Sequence, residues 1–216
     1  MAVSNFISSW SGGKDSCFAT LMALSAGHSL KGIMIMLNEN GKVSRSHAIP
    51  LHILEMQAAA MNVPLFTAAA SWNEYEGKFI TTLKEAVQSL SVSMAVFGDI
   101  DIDANRQWEE KVAAAAGVTA CLPLWQNERA ALVYQMIDKG IEAIIISCNT
   151  HLGKSFLGKT INKQTVEELE NAGVDICGEN GEFHTLVINC PLFSTAIAYS
   201  IIEKKQHEQY CFLEIQ

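Results

Sequence analysis

The first half of this 216-residue chain alternates continuous apolar runs with stretches of helical periodicity. The apolar runs predict strands buried on both faces, and they cover 6–10, 32–37, 63–66, 94–97 and, more briefly, 119–122. Four stretches have helical periodicity. The first follows residue 16 and ends at Gly27, and the others cover 50–61, 75–90 and about 104–116. Alternation of this kind predicts an α/β fold with a doubly wound parallel sheet, whose ligands lie at the carboxyl ends of the strands.

The second half of the chain is less regular and predicts a smaller α+β domain. Its helices are expected at 127–139 and 165–172, its strands at 143–146 and 186–188, and a terminal hairpin at 196–202 and 210–215. We place a domain boundary near Pro123, which gives domains of residues 1–122 and 123–216.

Composition favours a packed globular protein and argues against several classes. Hydrophobic residues make up 49% and charged residues 18%, which suits a folded core. No apolar run reaches the length of a membrane span and no secretion signal is visible, so we expect a cytoplasmic protein without a membrane partner. A formal net charge of −8 argues against nucleic acid as a partner. The six cysteines form no C-x-x-C pair, which favours reduced thiols over a zinc or iron–sulfur site.

The strongest local motif is the hexapeptide Ser-Gly-Gly-Lys-Asp-Ser, which lies directly between the first predicted strand and the first predicted helix. Gly12 and Gly13 allow a tight turn and a close approach of a ligand to the main chain. Free backbone N–H groups and the positive end of the helix dipole attract an anion. Lys14 adds a charge, and the hydroxyl groups of Ser11 and Ser16 add hydrogen-bond donors. The pattern predicts a nucleotide-phosphate site; the alternative is an ordinary glycine turn.

A second chemical cluster lies at 178–185, where two carboxylates, an imidazole and a hydroxyl group fall within one short segment. Glu179 and Glu182 are suited to binding Mg²⁺, orienting an amine or acting as a base. His184 is suited to proton transfer near neutral pH. The alternative interpretation is a solvated acidic turn before a strand.

A third group of polar residues follows the predicted strands. Asp99 comes directly after the fourth strand, where a metal or substrate contact is favoured over a role in stability. Arg106 and Glu110 lie one helical turn apart, so a surface ion pair is the alternative to a substrate contact. His47 contacts either the nucleotide or its own loop. We expect Gly98, His47 and the glycine loop to share one crevice.

Residues 153–160 match the Walker A spelling G-x-x-x-x-G-K-T. Too few residues follow for the rest of a P-loop NTPase sheet, and the strand at 186–188 runs into Asn189 rather than an aspartate that would hold Mg²⁺. We therefore interpret this segment as a structural or substrate-pocket loop, with a P-loop hydrolase as the alternative.

The hexapeptide at 11–16 resembles the PP-loop of ATP pyrophosphatases, enzymes that cut ATP between its α and β phosphates. Further motifs narrow the resemblance to the diphthine–ammonia ligase family and cover nearly the whole chain. They are Phe97-Gly98-Asp99-Ile100 with Arg106 and Glu110, Leu122-Pro123-Leu124-Trp125, Gly140-Ile141-Glu142-Ala143-Ile144, Leu157-Gly158-Lys159 and Cys177-Gly178-Glu179-Asn180-Gly181-Glu182-Phe183-His184-Thr185-Leu186.

The resemblance implies a HUP-like adenine-nucleotide domain at 1–122 and an acceptor-substrate domain at 123–216. It implies an ATP-dependent, amide-forming ligase that adenylates a carboxylate, lets ammonia displace AMP and releases pyrophosphate. ATP and Mg²⁺ are then its cofactors. Ammonia and a carboxylate-bearing protein or small molecule are its partners, and a homodimer is compatible with it.

Motifs and resemblance together assign the site residues. The catalytic set is Lys14, Asp15, Glu179, Glu182 and His184. The nucleotide-binding set is Ser11, Gly12, Gly13, Lys14, Asp15, Ser16, His47, Gly98 and Asp99. The substrate-binding set is Asp103, Arg106, Glu179, Asn180, Glu182, His184 and Thr185. Asp15 and Asp99 are the expected Mg²⁺ ligands.

Two positions depart from the family pattern, which usually has a glycine in place of Asn180 and a glutamate in place of His184. Exchange of a carboxylate for an imidazole changes the charge that the pocket offers to ammonium or to a trimethylammonium substrate. The acceptor is therefore left open. Two other classes remain as alternatives: a tRNA-modifying PP-loop ATPase, which would share the loop, and an ATP-binding protein of the same fold without catalysis.

Overall fold

The computed structural model describes residues 3–216, so the first two residues of the predicted N-terminal domain lie outside the described part. The strands are β1 (Asn5–Ser9), β2 (Ser29–Leu37), β3 (Leu65–Ala69), β4 (Met94–Val96), β5 (Thr119–Cys121), β6 (Glu142–Asn149), β7 (Phe183–Asn189), β8 (Ile201–His207) and β9 (Tyr210–Ile215). The helices are α1 (Lys14–Ser25), α2 (Leu51–Ala60), α3 (Tyr75–Leu90), α4 (Asp103–Ala115), α5 (Arg129–Asp138) and α6 (Lys163–Asn171).

The first sheet has five strands in the order β3-β2-β1-β4-β5, and all of its pairings are parallel. The chain leaves β1 toward β2 and β3 and then returns to β4 on the other side of β1. The strand order therefore reverses between β1 and β4, which is where sheets of this type bind ligands. The predicted α/β fold with a doubly wound parallel sheet is confirmed.

Two apolar layers cover the first sheet. One contains Phe79 of α3 and Val112 of α4. The other contains Phe18 of α1 and Ile53 of α2, and it continues without interruption into the core of the second half of the chain. Burial on both faces explains why β4 and the second half of β2 are continuous apolar runs rather than alternating ones.

The second sheet is antiparallel, in the order β7-β6-β9-β8. It lies directly against the start of α1, where the backbone N–H of Val187 donates to the carbonyl oxygen of Gly12 at 2.9 Å. In sequence, all strands of the first sheet precede Pro123 and all strands of the second sheet follow it. The domain boundary at that residue stays a prediction. Across residues 3–216, every helix is too short or too polar to cross a membrane.

The terminal hairpin exists, but the prediction of its first strand at 196–202 is wrong, because β8 spans Ile201–His207. His207 pairs directly with Tyr210, so a two-residue turn sets the register. Every residue of β8 is exposed, and the five residues after its first two isoleucines are polar, so most of the strand carries no apolar signal. The apolar Ile197 is buried outside the sheet, where its backbone N–H donates to Ile188 O at 2.7 Å.

Gln57, on α2, joins the two halves of the chain from a fully buried position. Its side-chain oxygen accepts from Trp10 Nε1 at 2.8 Å. Its side-chain nitrogen donates to the carbonyl oxygens of Val187 at 2.7 Å and Gly12 at 3.2 Å. Such a side chain is costly to replace, because each buried polar group that loses its partner has still lost its hydration.

We expect Gln57→Leu to lower the free energy of unfolding by about 2–4 kcal/mol, since Trp10 Nε1 and Val187 O both lose a buried partner. Urea denaturation measures the change. Glu55→Leu, at an exposed position of the same helix, is the control and should change stability by less than about 0.5 kcal/mol. A Gln57→Leu protein as stable as the wild type would contradict the bridging role.

Candidate functional site

Close packing at two glycines shapes the loop between β1 and α1. Gly12 has a φ of +86°, and a Cβ at this position would lie 2.6 Å from Ile49 Cδ1. Gly98, after β4, packs so closely on the start of α1 that a Cβ would lie 2.8 Å from Ser16 N. Both positions therefore need glycine, and together they bring the start of α1 to the crevice between β1 and β4.

Short polar contacts hold the glycine loop in one shape. The hydroxyl oxygens of Ser11 and Ser16 lie 3.0 Å apart. Ser11 Oγ accepts from Gly13 N at 3.2 Å, and Ser16 Oγ donates to Gly13 O at 3.1 Å. Thr185, from β7, accepts from the backbone N–H of Lys14 at 3.1 Å. The second half of the chain thus completes the loop.

Lys14 points toward the second half of the chain and is only 3% exposed. Its ammonium donates to Asp15 Oδ2 at 2.8 Å and to Cys177 O at 2.5 Å, and it lies 5.5 Å from the centre of the Phe183 ring. Burial acts to lower the pKa of this ammonium, but the neighbouring carboxylates, Asp15 above all and then Glu179, outweigh burial and raise the pKa overall. Lys14 is therefore a permanent positive charge that joins the glycine loop to the loop before β7.

A cavity of about 410 Å³ opens above the carboxyl ends of β1, β2 and β4. The predicted nucleotide-binding residues Ser11, Asp15, Ser16, His47, Gly98 and Asp99 all line it. The structure therefore brings these residues into one crevice, as the strand ends predict.

A second cavity, of about 280 Å³, adjoins the first and lies between the two halves of the chain. Asp15, His47, Asp99 and Glu179 line both cavities. Lys14, His184 and Thr185 also line the second one. The start of α1 therefore forms the junction of the two cavities.

The junction carries a carboxylate pair suited to a cation. One side-chain ligand atom from each of Asp15, Glu179 and Cys177 lies within 4.8 Å of the others. Burial raises the pKa of Glu179 to about 7, helped by Asp15 and opposed by Lys14. Carboxylate oxygens fit Mg²⁺, whereas burial raises the pKa of the Cys177 thiol and keeps it protonated, so this sulfur does not fit.

Asp99, predicted as a Mg²⁺ ligand, lies outside that three-residue cluster of the described chain. One of its carboxylate oxygens accepts from Asn105 Nδ2 at 2.6 Å. Asp99 therefore lines both cavities, but its contacts connect it to α4.

His47 and His184 stack on each other, with ring centroids 4.6 Å apart and planes 28° apart. His47 Nδ1 donates to Thr185 O at 3.2 Å. Burial lowers the pKa of both imidazoles, and the Lys14 ammonium lowers both further. The stack is therefore uncharged at neutral pH and can accept a proton at the second cavity.

Glu182 and Asn180 were predicted to contact substrate, but among the described residues they line neither cavity. The Glu182 carboxylate accepts from Asp175 N at 3.3 Å and from Asn180 N and Nδ2, each at 3.1 Å. Glu182 thus folds the loop that presents Glu179, so the catalytic role predicted for it has no support in this geometry.

Asp103 and Arg106 also lie outside the lining of the two cavities, within the described residues. Asp103 is exposed at the first residue of α4. Arg106 Nε lies 3.4 Å from Glu110 Oε1, and its guanidinium stands 4.9 Å from the centre of the Trp125 ring. The surface ion pair, which was the alternative for Arg106, is present.

The Walker-like segment at 153–160 is a series of turns that does not open a helix, since α6 begins at Lys163. Thr160 pairs with Ile144 of β6. Lys159 forms an ion pair with Glu168 and lies 4.7 Å from the centre of the Phe156 ring. This arrangement supports the structural interpretation of the segment.

Sequence reasoning missed an aromatic wall of the first cavity, formed where α3 packs on α4. The Phe79 and Trp108 rings meet edge to face at 4.9 Å, and the Tyr75 ring lies 5.7 Å from that of Trp108. Trp72 adds an exposed ring, 4.2 Å below the Arg45 guanidinium. The spacing of Tyr75 and Phe79 by one helical turn was the available signal, but it is equally typical of a core-facing helix.

Glu109, also on α4, is a buried acid beside this wall and is 4% exposed. Burial raises its pKa to about 10, and the nearby Asp99 carboxylate adds to the effect. Glu109 is therefore protonated at neutral pH, so Asp99 and Glu109 together carry one fewer negative charge.

The raised pKa of Glu109 predicts how the stability of the protein depends on pH. Its folded pKa lies above its unfolded value of 4.5, so the folded state holds a proton that the unfolded state has lost. The stabilising contribution is complete below the unfolded pKa and is lost as pH rises toward the folded pKa, at a slope of up to about 1.4 kcal/mol per pH unit. We expect Glu109→Gln, measured by urea denaturation between pH 5 and 9, to lose less stability with rising pH than the wild type.

Exposed Glu110→Gln on the same helix is the matched control and should keep the wild-type slope. Parallel pH profiles for Glu109→Gln and the wild type would show that Glu109 titrates normally.

Two family models match the chain: the diphthamide synthase N-terminal domain along residues 4–120 and the diphthamide synthase C-terminal domain along residues 128–216. A Danio rerio protein named diphthine–ammonia ligase is 29% identical over 231 residues, covering 95% of this chain and 90% of that protein. Proteins of the same name from Homo sapiens and Mus musculus are 27% and 26% identical, each covering 95% of this chain and 86% of its own length.

A solved structure described as a predicted subunit of tRNA methyltransferase from Methanocaldococcus jannaschii aligns with a TM-score of 0.47 and 12% identity, covering 87% of this chain and 98% of that one. That likeness carries no conclusion about function. The two domain models span both sheets and the cavities between them, and they confirm the resemblance found in the motifs. This chain belongs to the diphthamide synthase family.

Proposed function

We propose that this protein is an ATP-dependent ligase that adenylates a carboxylate and transfers ammonia to it, releasing AMP and pyrophosphate. The proposal is carried by the junction of the two cavities, where Asp15, Glu179 and the buried Lys14 ammonium meet beneath a glycine loop. Membership of the diphthamide synthase family and relatives named diphthine–ammonia ligase support the same class of reaction.

The first cavity would hold the nucleotide, since a volume of about 410 Å³ is within the usual range for such ligands. The polyphosphate would lie at the glycine loop, where the N-terminus of α1 favours negative charge. The adenosine would pack between Met34 and Met36 on β2 and the aromatic wall of α3 and α4. Lys14 would stabilise the charge of the pyrophosphate group from beneath the loop.

Asp15 and Glu179 would hold the Mg²⁺ ion, which supplies charge stabilisation to the phosphate oxygens when bound. The acid pair of Asp99 and Glu109 would remain beside the nucleotide with its charge reduced by the retained proton.

The acceptor would enter the second cavity. Its carboxylate oxygen attacks the α-phosphorus, and the bond from that phosphorus to pyrophosphate breaks, which leaves an acyl adenylate. The ammonia nitrogen then attacks the acyl carbon, the carbon–oxygen bond to AMP breaks, and one proton leaves the nitrogen. His184 is suited to accept this proton, because its lowered pKa keeps the imidazole neutral.

Incubation of the protein with α-labelled ATP, Mg²⁺, ammonium chloride and a panel of carboxylic acids and carboxylate-bearing proteins tests the proposal. The expected products are labelled AMP and an equal amount of pyrophosphate, formed only with a suitable acceptor. Labelled ADP would indicate a hydrolase, and nucleotide binding without turnover would indicate a sensor. AMP formed only with bulk tRNA would indicate a tRNA-modifying enzyme. Each of these three outcomes contradicts an amide ligase.

We expect Lys14→Met to lower the rate of pyrophosphate release at least about a hundredfold, because loss of one preorganised charge typically removes about 3 kcal/mol of transition-state stabilisation. Lys159→Met is the matched control, since Lys159 also follows a glycine but pairs with Glu168 away from both cavities. Circular dichroism checks that both variants are folded. Equal rates for Lys14→Met and the wild type would remove Lys14 from the mechanism.

We expect Glu179→Gln to raise the Mg²⁺ concentration for half-maximal rate by at least about tenfold, since outer-shell partners alone commonly change metal affinity by that much. A Mg²⁺ titration of pyrophosphate release measures the effect. Exposed Glu167→Gln on α6 should match the wild type. A Glu179→Gln enzyme with the wild-type Mg²⁺ dependence would place the metal on other residues.

A further inference from the structure

We propose that Arg129 is a positioning residue that fixes the loop carrying Glu179 against the nucleotide-binding half of the chain. The inference rests on the proposed function, because it assigns Arg129 a role in the same reaction. Of the described residues, those that line the two cavities do not include Arg129, so it would act through Glu179 rather than on the substrates.

Arg129 contacts the loop after β4 with two parallel hydrogen bonds. Its Nε donates to Asp101 Oδ2 and its Nη2 donates to Asp101 Oδ1, both at 2.7 Å. Asp101 lies two residues beyond Asp99, which lines both cavities. This bidentate geometry orients the guanidinium plane as well as holding it in place.

The remaining nitrogen of the guanidinium reaches the second half of the chain. Arg129 Nη1 donates to Asp175 Oδ2 at 2.5 Å and to Asn180 Oδ1 at 3.3 Å. The Asp175 side chain is 12% exposed, so this ion pair is more shielded from water than the bond to Asp101, whose side chain is 37% exposed. One side chain therefore ties two loops from different halves of the protein.

Asp175 transmits that contact to Glu179. Its two carboxylate oxygens accept the backbone N–H of Cys177 at 3.0 Å and that of Glu179 at 3.2 Å. The segment between these amides also supplies the carbonyl oxygen of Cys177 to Lys14. The loop is thus held at one side by Lys14 and at the other by Arg129, with Glu179 directed to the cavity junction.

The position requires arginine rather than any cation. A planar guanidinium offers a fork to Asp101 and a further N–H to Asp175, whereas a lysine ammonium is a point charge that cannot reproduce both geometries. Arg129 is also the first residue of α5, whose start is fixed because Glu128 accepts from Ala130 N and Ala131 N. The base of the side chain is therefore held in place by the helix cap.

The experiment measures kinetics and backbone amide hydrogen exchange in the full chain for Arg129→Gln, Arg129→Lys and Asp101→Asn. Lys163→Gln is the matched control, because Lys163 is an exposed cation at the first residue of another helix in the same half. We expect Arg129→Gln to lower kcat for pyrophosphate release by about tenfold to a hundredfold, the usual effect of losing a supporting partner, with KM for ATP within about twofold of the wild type. Arg129→Lys should recover part of that loss, and Lys163→Gln should match the wild type.

Hydrogen exchange provides a readout that does not depend on activity. In Arg129→Gln and Asp101→Asn the amides of Cys177 and Glu179 should exchange faster, while those of β6 keep wild-type protection. Unchanged exchange at both amides, or faster exchange with unchanged kcat, would overturn the positioning role. A wild-type protein that forms no pyrophosphate would instead overturn the proposed ligase function, and the exchange data would still decide whether Arg129 holds the loop.

Discussion

The buried ammonium of Lys14 is the contact on which the rest of the site depends. Taking a cation out of water costs several kcal/mol, and the cost is offset only if good partners surround the charge. Asp15 comes from the same loop, but Cys177 O comes from the other half of the chain. The two halves therefore cannot separate without leaving a buried charge uncompensated. Hydrogen bonds between neutral groups, made by Thr185 and Gln57, cross the same boundary and fix the orientation of the two halves relative to each other.

Burial also controls the charge of the groups around the junction. It raises the pKa of Glu179 and Glu109 and lowers that of His47 and His184, so in each case the neutral form gains. In the proposed reaction, the proton retained by Glu109 removes one repulsive charge beside the polyphosphate. The same low dielectric strengthens the attraction of Lys14 for an anion at the glycine loop.

Local patterns in the sequence were sufficient to predict the parallel sheet and the glycine loop, because both follow from short-range rules. Buried parallel strands must be apolar throughout, and a tight strand–helix turn must contain glycine, as at Gly12. The direction of the Lys14 side chain was not predictable, since its partner Cys177 is 163 residues away in sequence. The strand β8 was misplaced for a related reason. All of its residues are exposed, and its register is set by pairing with β9 rather than by hydrophobicity.

The residues of the candidate site, like the elements of the fold, were predictable only where short-range rules apply. The glycine-loop residues Ser11 and 14–16 and the residues Gly98 and Asp99 after β4 line the cavities, because topology alone brings strand ends together. Within the described chain, the two glycines of the loop line neither cavity. Glu182, Asn180 and Arg106 were predicted as site residues from their proximity in sequence, but within the described chain they line neither cavity, since a turn or a helix directs neighbouring side chains to different places. Their predicted roles stay predictions. The aromatic wall and Arg129 were missed because both depend on which helices and loops pack together.

In the proposed reaction, His184 bears on the choice of acceptor, because an imidazole at this position offers a different charge from a glutamate. The imidazole stacks on His47, and burial lowers the pKa of both rings, so neither carries charge at neutral pH. The second cavity thus keeps Asp15, Asp99 and Glu179 as its acidic side chains but lacks a further carboxylate at His184. A cationic acceptor gains less attraction here than beside a glutamate, whereas a neutral or anionic acceptor meets less repulsion. In the proposed reaction, the electrostatics of this cavity therefore favour an acceptor with less positive charge near its reacting carboxylate than a cavity with a glutamate at this position would select.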